Sequence, residues 1–250
     1  IILKQINNMQ SLSLQKIVPI QVTILLSCVL LLGLFSQPSI ASHDKVYEIT
    51  ILHTNDFHAR FRPISKYDNN CSQKNNAKGK CFGGTARLIS AVEDARSRHS
   101  NTILLDGGDQ FQGTLFYNLY KGKVAAEMMN KLGYDGMAVG NHEFDDGPEN
   151  LRAFMDSVNF PVLMANANID MEPELKGKLH KSTTLLKNNR KIGLIGVVTE
   201  DVVDLSSPGD NITITDSVAA VQSEVDFLTE AGVNIIILLS HSSYETDKMI

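Results

Sequence analysis

The stretch GNHEFD, residues 140–145, directly follows the apolar run 137–139, which is predicted to be a short buried strand. A strand that ends in Gly and then Asn-His presents oxygen and nitrogen donors at the edge of a sheet, where clefts form. The carbonyl oxygen of Asn141 suits a hard or borderline metal ion. His142 is a candidate acid, and Asp145 could orient it. The pattern therefore predicts a functional site at a strand end, with a plain polar loop as the alternative.

A second predicted strand end lies nearer the start of the chain. Apolar and polar residues alternate over 47–52, which is typical of a strand, and Asp56 and His58 follow it. Because these two residues are two apart, we expect their side chains to point the same way in extended backbone and to share one ion. An Asp-x-His pair alone is weak evidence, since many chains contain one by chance.

Two further apolar runs end in residues of the same types. The run 102–105 precedes Asp109, whose glycine neighbours would let the backbone approach a bound group closely. Asp106 is interpreted as a turn residue. The run 235–239, the most hydrophobic predicted strand, precedes His241. A tight turn and a structural hydrogen-bonding histidine are the alternatives for these two ends.

The rest of the chain alternates between strand and helix patterns. With 43% hydrophobic residues among 250, there is enough apolar material for one large core. Further strands are predicted at 161–165 and 191–198, and helices at 148–157 and 218–228. This alternation predicts a layered α/β domain over residues 45–250.

The charge balance limits the partners. A net charge of -5 and the lack of any Lys/Arg run argue against binding to a nucleic acid polymer. If the substrate is a phosphate, bound cations would have to neutralise it.

The N-terminal residues 1–41 are predicted to be a signal peptide. Lysines precede an apolar run from residue 17 towards 35, and the small residues Ser39 and Ala41 fit a cleavage site. An uncleaved membrane anchor is the alternative, because the run nearly reaches spanning length. We expect an exported protein, periplasmic or extracellular, with no stable membrane span after cleavage.

Cys71 and Cys81 remain after removal of the signal, and they lie in a polar loop. In an exported protein, such a pair is expected to form a disulfide. A zinc site is the alternative, although two thiols without further ligands make a poor one.

Six motifs together resemble the 5'-nucleotidase family of calcineurin-like metallophosphoesterases, and the resemblance covers nearly all of the chain after the signal. These are LHTNDFHAR (52–60), GGTARL (83–88), LLDGGDQFQGT (104–114), YKG (120–122), GNHEFD (140–145) and LSHSSYETDK (239–248). The resemblance implies a layered calcineurin-like domain with central β-sheets flanked by helices. It also implies a loop disulfide at the position of the two cysteines.

The resemblance further implies a centre for two divalent ions, which mixed Asp, His and Asn ligands suit if the ions are Zn, Mn or Mg. The implied ligands are Asp56 and His58 for the first ion, Asp109 as a bridge, and Asn141 and His241 for the second.

The substrate phosphate is implied to lie against three side chains, Arg60, Asn141 and His142. His142, paired with Asp145, would stabilise the transition state. We therefore expect an exported phosphohydrolase that converts nucleoside 5'-monophosphates to nucleoside and phosphate.

The family pattern is incomplete in this chain. A later Gly-His-x-His-type motif and a C-terminal nucleotide-binding domain are absent before Ile250, so we expect a C-terminally truncated catalytic domain. Without that domain, an apyrase, a UDP-sugar hydrolase and a 2',3'-cyclic-nucleotide phosphodiesterase remain as alternatives. A non-catalytic exported metal-binding protein is the alternative from a different class.

Overall fold

The computed structural model describes residues 2–5, 46–67 and 69–250. Most of the predicted signal peptide, residues 6–41, lies outside the described residues, and its first residues form an edge strand. No helix in the described ranges has the length and apolarity that a membrane crossing needs. The elements below belong to one compact unit, which comprises Ile49–Ile250 and the N-terminal strand.

Strands and helices alternate over most of the described chain, as the sequence predicts, but four strands follow one another between residues 162 and 198. The strands are β1 Ile2–Gln5, β2 Thr50–Thr54, β3 Thr102–Asp106, β4 Gly136–Ala138, β5 Val162–Leu163, β6 Ala167–Asn168, β7 Ser182–Lys187, β8 Arg190–Val198, β9 Thr213–Ile214 and β10 Ile235–His241. The helices are α1 Gln73–Ala77, α2 Thr85–Arg98, α3 Leu115–Tyr120, α4 Lys123–Leu132, α5 Gly147–Met155, α6 Val202–Leu205, α7 Ser217–Glu230 and α8 Tyr244–Met249, with a 3-10 helix at Asn141–Phe144.

The long strands form two four-stranded sheets. The first sheet has the order β2-β3-β4-β5 and is parallel throughout. The second has the order β1-β10-β8-β7, with a parallel β10-β8 pair between two antiparallel outer strands. The short strands β6 and β9 form a separate antiparallel pair.

The two sheets face each other, and helices cover their outer faces. Ile103 and Leu105 of β3 share one apolar cluster with Leu194 of β8 and Ile237 of β10, whereas Leu104, between them on β3, belongs to a different cluster. That second cluster contains buried residues of α2, α4 and α5, and a third joins α7 to β8 and β10. Side chains alternate between the faces of a strand, so each central strand contributes to two cores. The predicted layered α/β class is confirmed.

The parallel order of the first sheet brings the candidate residues to one edge. The carboxyl ends of β2, β3 and β4 lie next to one another. Asp56 and His58 follow the first of these ends, Asp109 follows the second, and Asn141 follows the third. His241 is the last residue of β10 in the facing sheet. Sites in open α/β sheets form at such strand ends.

Candidate metal centre

The loop after β2 runs alongside the loop after β3. The backbone N–H of Asp56 donates to Gly108 O at 3.0 Å, and that of His58 donates to Asp109 O at 3.1 Å. Asp56, His58 and Asp109 all have left-handed backbone, with φ of 51°, 49° and 59°. The expectation that Asp56 and His58 stand in extended backbone is therefore wrong, because β2 ends at Thr54. Backbone in this region costs about 1 to 3 kcal/mol per residue and clusters at functional sites.

Two glycines let the loops after β3 and β4 come into contact. A Cβ on Gly108 would lie 2.6 Å from the backbone nitrogen of Gly140. A Cβ on Gly140 would lie 2.2 Å from Asp109 Oδ1. A larger residue at position 108 would push the backbone of Gly140 away, and one at position 140 would displace the Asp109 carboxylate.

Two imidazoles are oriented by backbone carbonyls. The Nδ1 atom of His58 lies 3.1 Å from Phe111 O, and that of His241 lies 2.8 Å from Gly107 O. A carbonyl oxygen can only accept, so Nδ1 carries the proton in each ring and the neutral ring keeps its lone pair on Nε2. Metal-binding histidines are commonly held in this way.

The carboxylate of Asp109 is at the centre of the site and is almost fully buried, with 3% of the residue exposed. Its Oδ2 atom lies 3.8 Å from Nε2 of His58 and 3.2 Å from Nε2 of His241. Its Oδ1 atom accepts from the backbone N–H of His142 at 2.9 Å. Asp56 Oδ1 lies 3.7 Å from the same His58 nitrogen.

Two groups of side chains are close enough to hold a metal ion, because the candidate ligand atoms within each lie within 4.8 Å of one another. One group is His58, Asp109 and His142, and the other is Asp56, Asp109 and His241. Asp109 belongs to both, which is the position that a bridging ligand requires. The carboxylate and imidazole donors fit borderline or hard divalent ions.

The two groups differ from the two ligand sets that the resemblance implies. The expected first pair, Asp56 and His58, is divided between the groups, and His142 appears among the possible ligands. Asn141 lines a cavity of about 460 Å³ together with Asp56 and His241. All five expected ligands therefore lie around the same strand ends.

Asp109 and His241 influence each other's ionisation. Burial opposes the charged form of Asp109, but the hydrogen bond and charge of His241 outweigh it and lower the pKa of Asp109. Burial likewise opposes the charged form of His241, yet the contact with Asp109 raises its pKa to about 9. A cation bound between these side chains would replace the imidazole proton, as metal binding generally does.

His142 and Asp145 form the predicted pair. Nδ1 of His142 lies 2.8 Å from Asp145 Oδ2, and its ring packs edge-on against that of His58 with centroids 5.3 Å apart. The other carboxylate oxygen of Asp145 accepts from the hydroxyl of Ser206 at 2.8 Å. The prediction from sequence missed Ser206, which no motif marks.

Glu143 is a further residue that the sequence-based prediction missed. It is fully buried, and its carboxylate accepts from the backbone N–H groups of Asp109, Gln110, Phe111 and Gly140 at 2.7 to 3.2 Å. Burial, and then the charge of Asp109, raises the pKa of Glu143 to about 7. A glutamate three residues after a helix-capping glycine is the sequence signal that could have revealed it.

Asp106 is not a simple turn residue. It is fully buried at the end of β3, and its carboxylate accepts from the Thr54 hydroxyl, the Gln110 side-chain amide and the backbone N–H of Gly108. Burial raises its pKa to about 7. The sequence could not reveal the burial, because one partner, Thr54, lies at the end of a strand that is 52 residues earlier in the chain.

Arg60 lies away from the cavity that contains Asn141. It lines another cavity, of about 590 Å³, together with Arg62 and Thr114. Its expected contact with a substrate phosphate stays a prediction. Cys71 and Cys81 form a disulfide with a Cα–Cα distance of 5.8 Å, which confirms the predicted pairing.

The fold and the strand-end cluster define a class, that of layered α/β domains with a metal centre at the carboxyl ends of parallel strands. The family model described as calcineurin-like phosphoesterase matches residues 49–247. The chain belongs to the calcineurin-like phosphoesterase family.

Known relatives narrow the resemblance to the 5'-nucleotidase branch, as predicted. The chain is 44% identical to a 5'-nucleotidase of Diplobatis ommata over 82% of this chain and 35% of the relative. It is 40% identical to an apyrase of Tabanus yao, over 80% of this chain and 36% of the relative. The crystal structure of a 5'-nucleotidase precursor from Thermus thermophilus superposes with a TM-score of 0.73 at 35% identity. The match covers 80% of this chain and 38% of that structure's chain. The chain thus spans little more than a third of these relatives.

Proposed function

We propose that the complete protein is an exported phosphohydrolase with two divalent ions, which converts nucleoside 5'-monophosphates to nucleoside and phosphate. The observation that carries the proposal is the position of Asp109, whose buried carboxylate is common to both groups of possible ligands. The relatives named 5'-nucleotidase support the choice of substrate.

The proposed ligands are Asp56 and His58 for one ion, Asn141 and His241 for the other, and Asp109 between them. Two divalent ions held this way would polarise a phosphoryl group and lower the pKa of a bound water. The protein supplies the orientation: carbonyl groups hold Nδ1 of both histidines, so each Nε2 is directed towards Asp109.

His142 is proposed to act on the phosphate rather than on the ions. Because the Asp145 carboxylate accepts from Nδ1, the ring can donate to a phosphoryl oxygen only from Nε2, and only when both ring nitrogens carry a proton. Stabilisation of developing charge in this way contributes strongly to the rate enhancement of many enzymes. Arg60 is proposed as a contact of the substrate phosphate, and Arg60→Ala is then expected to raise KM more than it lowers kcat.

An apyrase activity on nucleoside di- and triphosphates is the second candidate. The 40% identity to the Tabanus yao apyrase favours it, and that identity is close to the value for the 5'-nucleotidases. Export is proposed from the apolar N-terminal run, and sequencing the mature N-terminus of the secreted protein tests it.

The test is phosphate release by the complete protein, with added Mn or Zn, from AMP, ATP, UDP-glucose and 2',3'-cyclic AMP. We expect AMP to be preferred, and preference for ATP would favour the apyrase. Asp109→Ala should abolish release, whereas the matched control Asp170→Ala, at an exposed position, should not. Release that survives Asp109→Ala would contradict the proposal.

A further inference from the structure

We propose that Ser206 is a positioning residue for the reaction, which acts by fixing the carboxylate of Asp145 behind His142. This inference rests on the proposed function of the His142–Asp145 pair. The Ser206 hydroxyl donates to Asp145 Oδ1 at 2.8 Å, across 61 residues of sequence.

The two oxygens of the Asp145 carboxylate have different partners. Oδ1 accepts from Ser206 Oγ and Oδ2 contacts Nδ1 of His142, both at 2.8 Å. A carboxylate held at one oxygen only can turn about its Cβ–Cγ bond, since this torsion is broad. A second hydrogen bond at the other oxygen restricts that rotation, so Ser206 fixes the plane in which Asp145 meets the imidazole.

The backbone around Ser206 is well anchored. Its N–H donates to Val202 O at 3.0 Å at the end of α6, and Val202 is fully buried in the main apolar cluster. Two residues later, Pro208 is buried as well. The backbone therefore positions the Ser206 hydroxyl next to Asp145, and the position of this segment does not depend on the hydroxyl.

A purely structural role for the side chain is the competing explanation. The helix end is completed by the backbone N–H of Ser206, which an alanine would retain. The hydroxyl instead reaches a residue that follows the 3-10 helix, next to the candidate site. Ser206→Ala thus removes one hydrogen bond and leaves the anchoring of the segment in place.

The first test is steady-state kinetics of the complete protein. We expect Ser206→Ala to lower kcat about 10- to 150-fold, the range for a hydrogen bond to a charged group, with KM and metal content unchanged. Ser206→Thr, which keeps a hydroxyl, should restore most of the activity. Ser207→Ala, at the exposed neighbouring position, is the matched control and should behave as wild type. A wild-type kcat for Ser206→Ala would overturn the inference.

A double-mutant cycle separates positioning from a general effect on the fold. In an Asp145→Ala background, Ser206→Ala should lower kcat no further, because the group that it positions is absent. An equal decrease in both backgrounds would overturn the inference.

A third measurement does not depend on turnover and so keeps this inference distinct from the proposed function. In the zinc-loaded protein, the ¹⁵N chemical shifts of the His142 ring report whether Nδ1 stays bonded to Asp145. We expect these shifts to change in Ser206→Ala and not in Ser207→Ala, whereas unchanged shifts in Ser206→Ala would refute the inference. A wild-type protein that hydrolyses no nucleotide would refute the proposed function alone.

Discussion

Asp109 and Glu143 are joined by a buried hydrogen bond, in which the backbone N–H of Asp109 donates to Glu143 Oε2 at 2.8 Å. The same oxygen accepts from the backbone N–H of Gly140 at 2.7 Å. One carboxylate therefore holds the loop that carries Asp109 against the loop that carries Asn141 and His142. The distance between the Asp109 carboxylate and Asn141 therefore depends on this contact.

Glu143→Gln should lower both the stability of the protein and its metal binding, although Glu143 is not expected to contact an ion. The carboxylate faces four backbone N–H donors, and an amide would turn its own NH₂ group towards some of them. Leaving a buried donor unsatisfied costs about 1 to 3 kcal/mol. We expect a lower free energy of unfolding in urea and weaker metal retention in dialysis. Glu149→Gln, at an exposed position, is the control. Wild-type stability and metal content in Glu143→Gln would contradict the expectation.

The strand ends that carry the ligands could be predicted from sequence because their signals are local. Short apolar runs followed by Asp, His or Asn predict β3, β4 and β10 and the residues after them, since hydrophobic pattern reports strands directly. The contacts that complete the site are not local. Ser206 reaches Asp145 from 61 residues away, and the Thr54 hydroxyl reaches Asp106 from 52 residues away.

The sequence did not predict three elements that are too short to show a periodic pattern of apolar residues. The helix α6 has four residues and the strands β6 and β9 have two each, so neither helical nor alternating spacing can develop. The conformation of Asp56 and His58 was predicted wrongly for a related reason. Sequence spacing cannot show that a strand ends two residues earlier and that the loop turns into left-handed backbone.

Asp106 should make stability depend on pH. Its pKa rises from 3.8 to about 7 on folding, because burial disfavours the charged form. The folded state then binds the proton more tightly than the unfolded state, so the stabilisation is complete below pH 3.8 and is lost as the pH rises towards 7. In the metal-free protein, we expect the free energy of unfolding of Asp106→Asn to fall less steeply with rising pH than that of the wild type. Urea unfolding at several pH values between 4 and 7 measures it, and an unchanged slope would argue against the raised pKa.

The disulfide should stabilise the loop that contains α1. Cys71 and Cys81 are ten residues apart, and Cys81 is buried. Restricting the unfolded chain in this way is worth about 2 to 4 kcal/mol. Replacing both cysteines by serine should lower the free energy of unfolding by that amount, and reduction of the wild type should have the same effect. If the double variant matched the oxidised wild type in urea, the bond would have no stabilising role.

The assignment of neighbouring residues to different roles is the central claim, and His142 gives it a direct test. Asn141 is proposed as a ligand, and His142 is proposed to act on the phosphate, although His142 lies within ligand distance of His58 and Asp109. Removing a ligand should lower metal occupancy. Removing a positioned acid or charge stabiliser should lower turnover alone.

The decisive measurement is metal content by elemental analysis, beside turnover, on the same preparations of the complete protein. Asn141→Ala should lose part of one metal equivalent and regain some activity in excess metal. His142→Ala should keep both equivalents and slow turnover by about 10² to 10⁴. If His142→Ala loses a metal equivalent while Asn141→Ala keeps both, the proposed roles are contradicted.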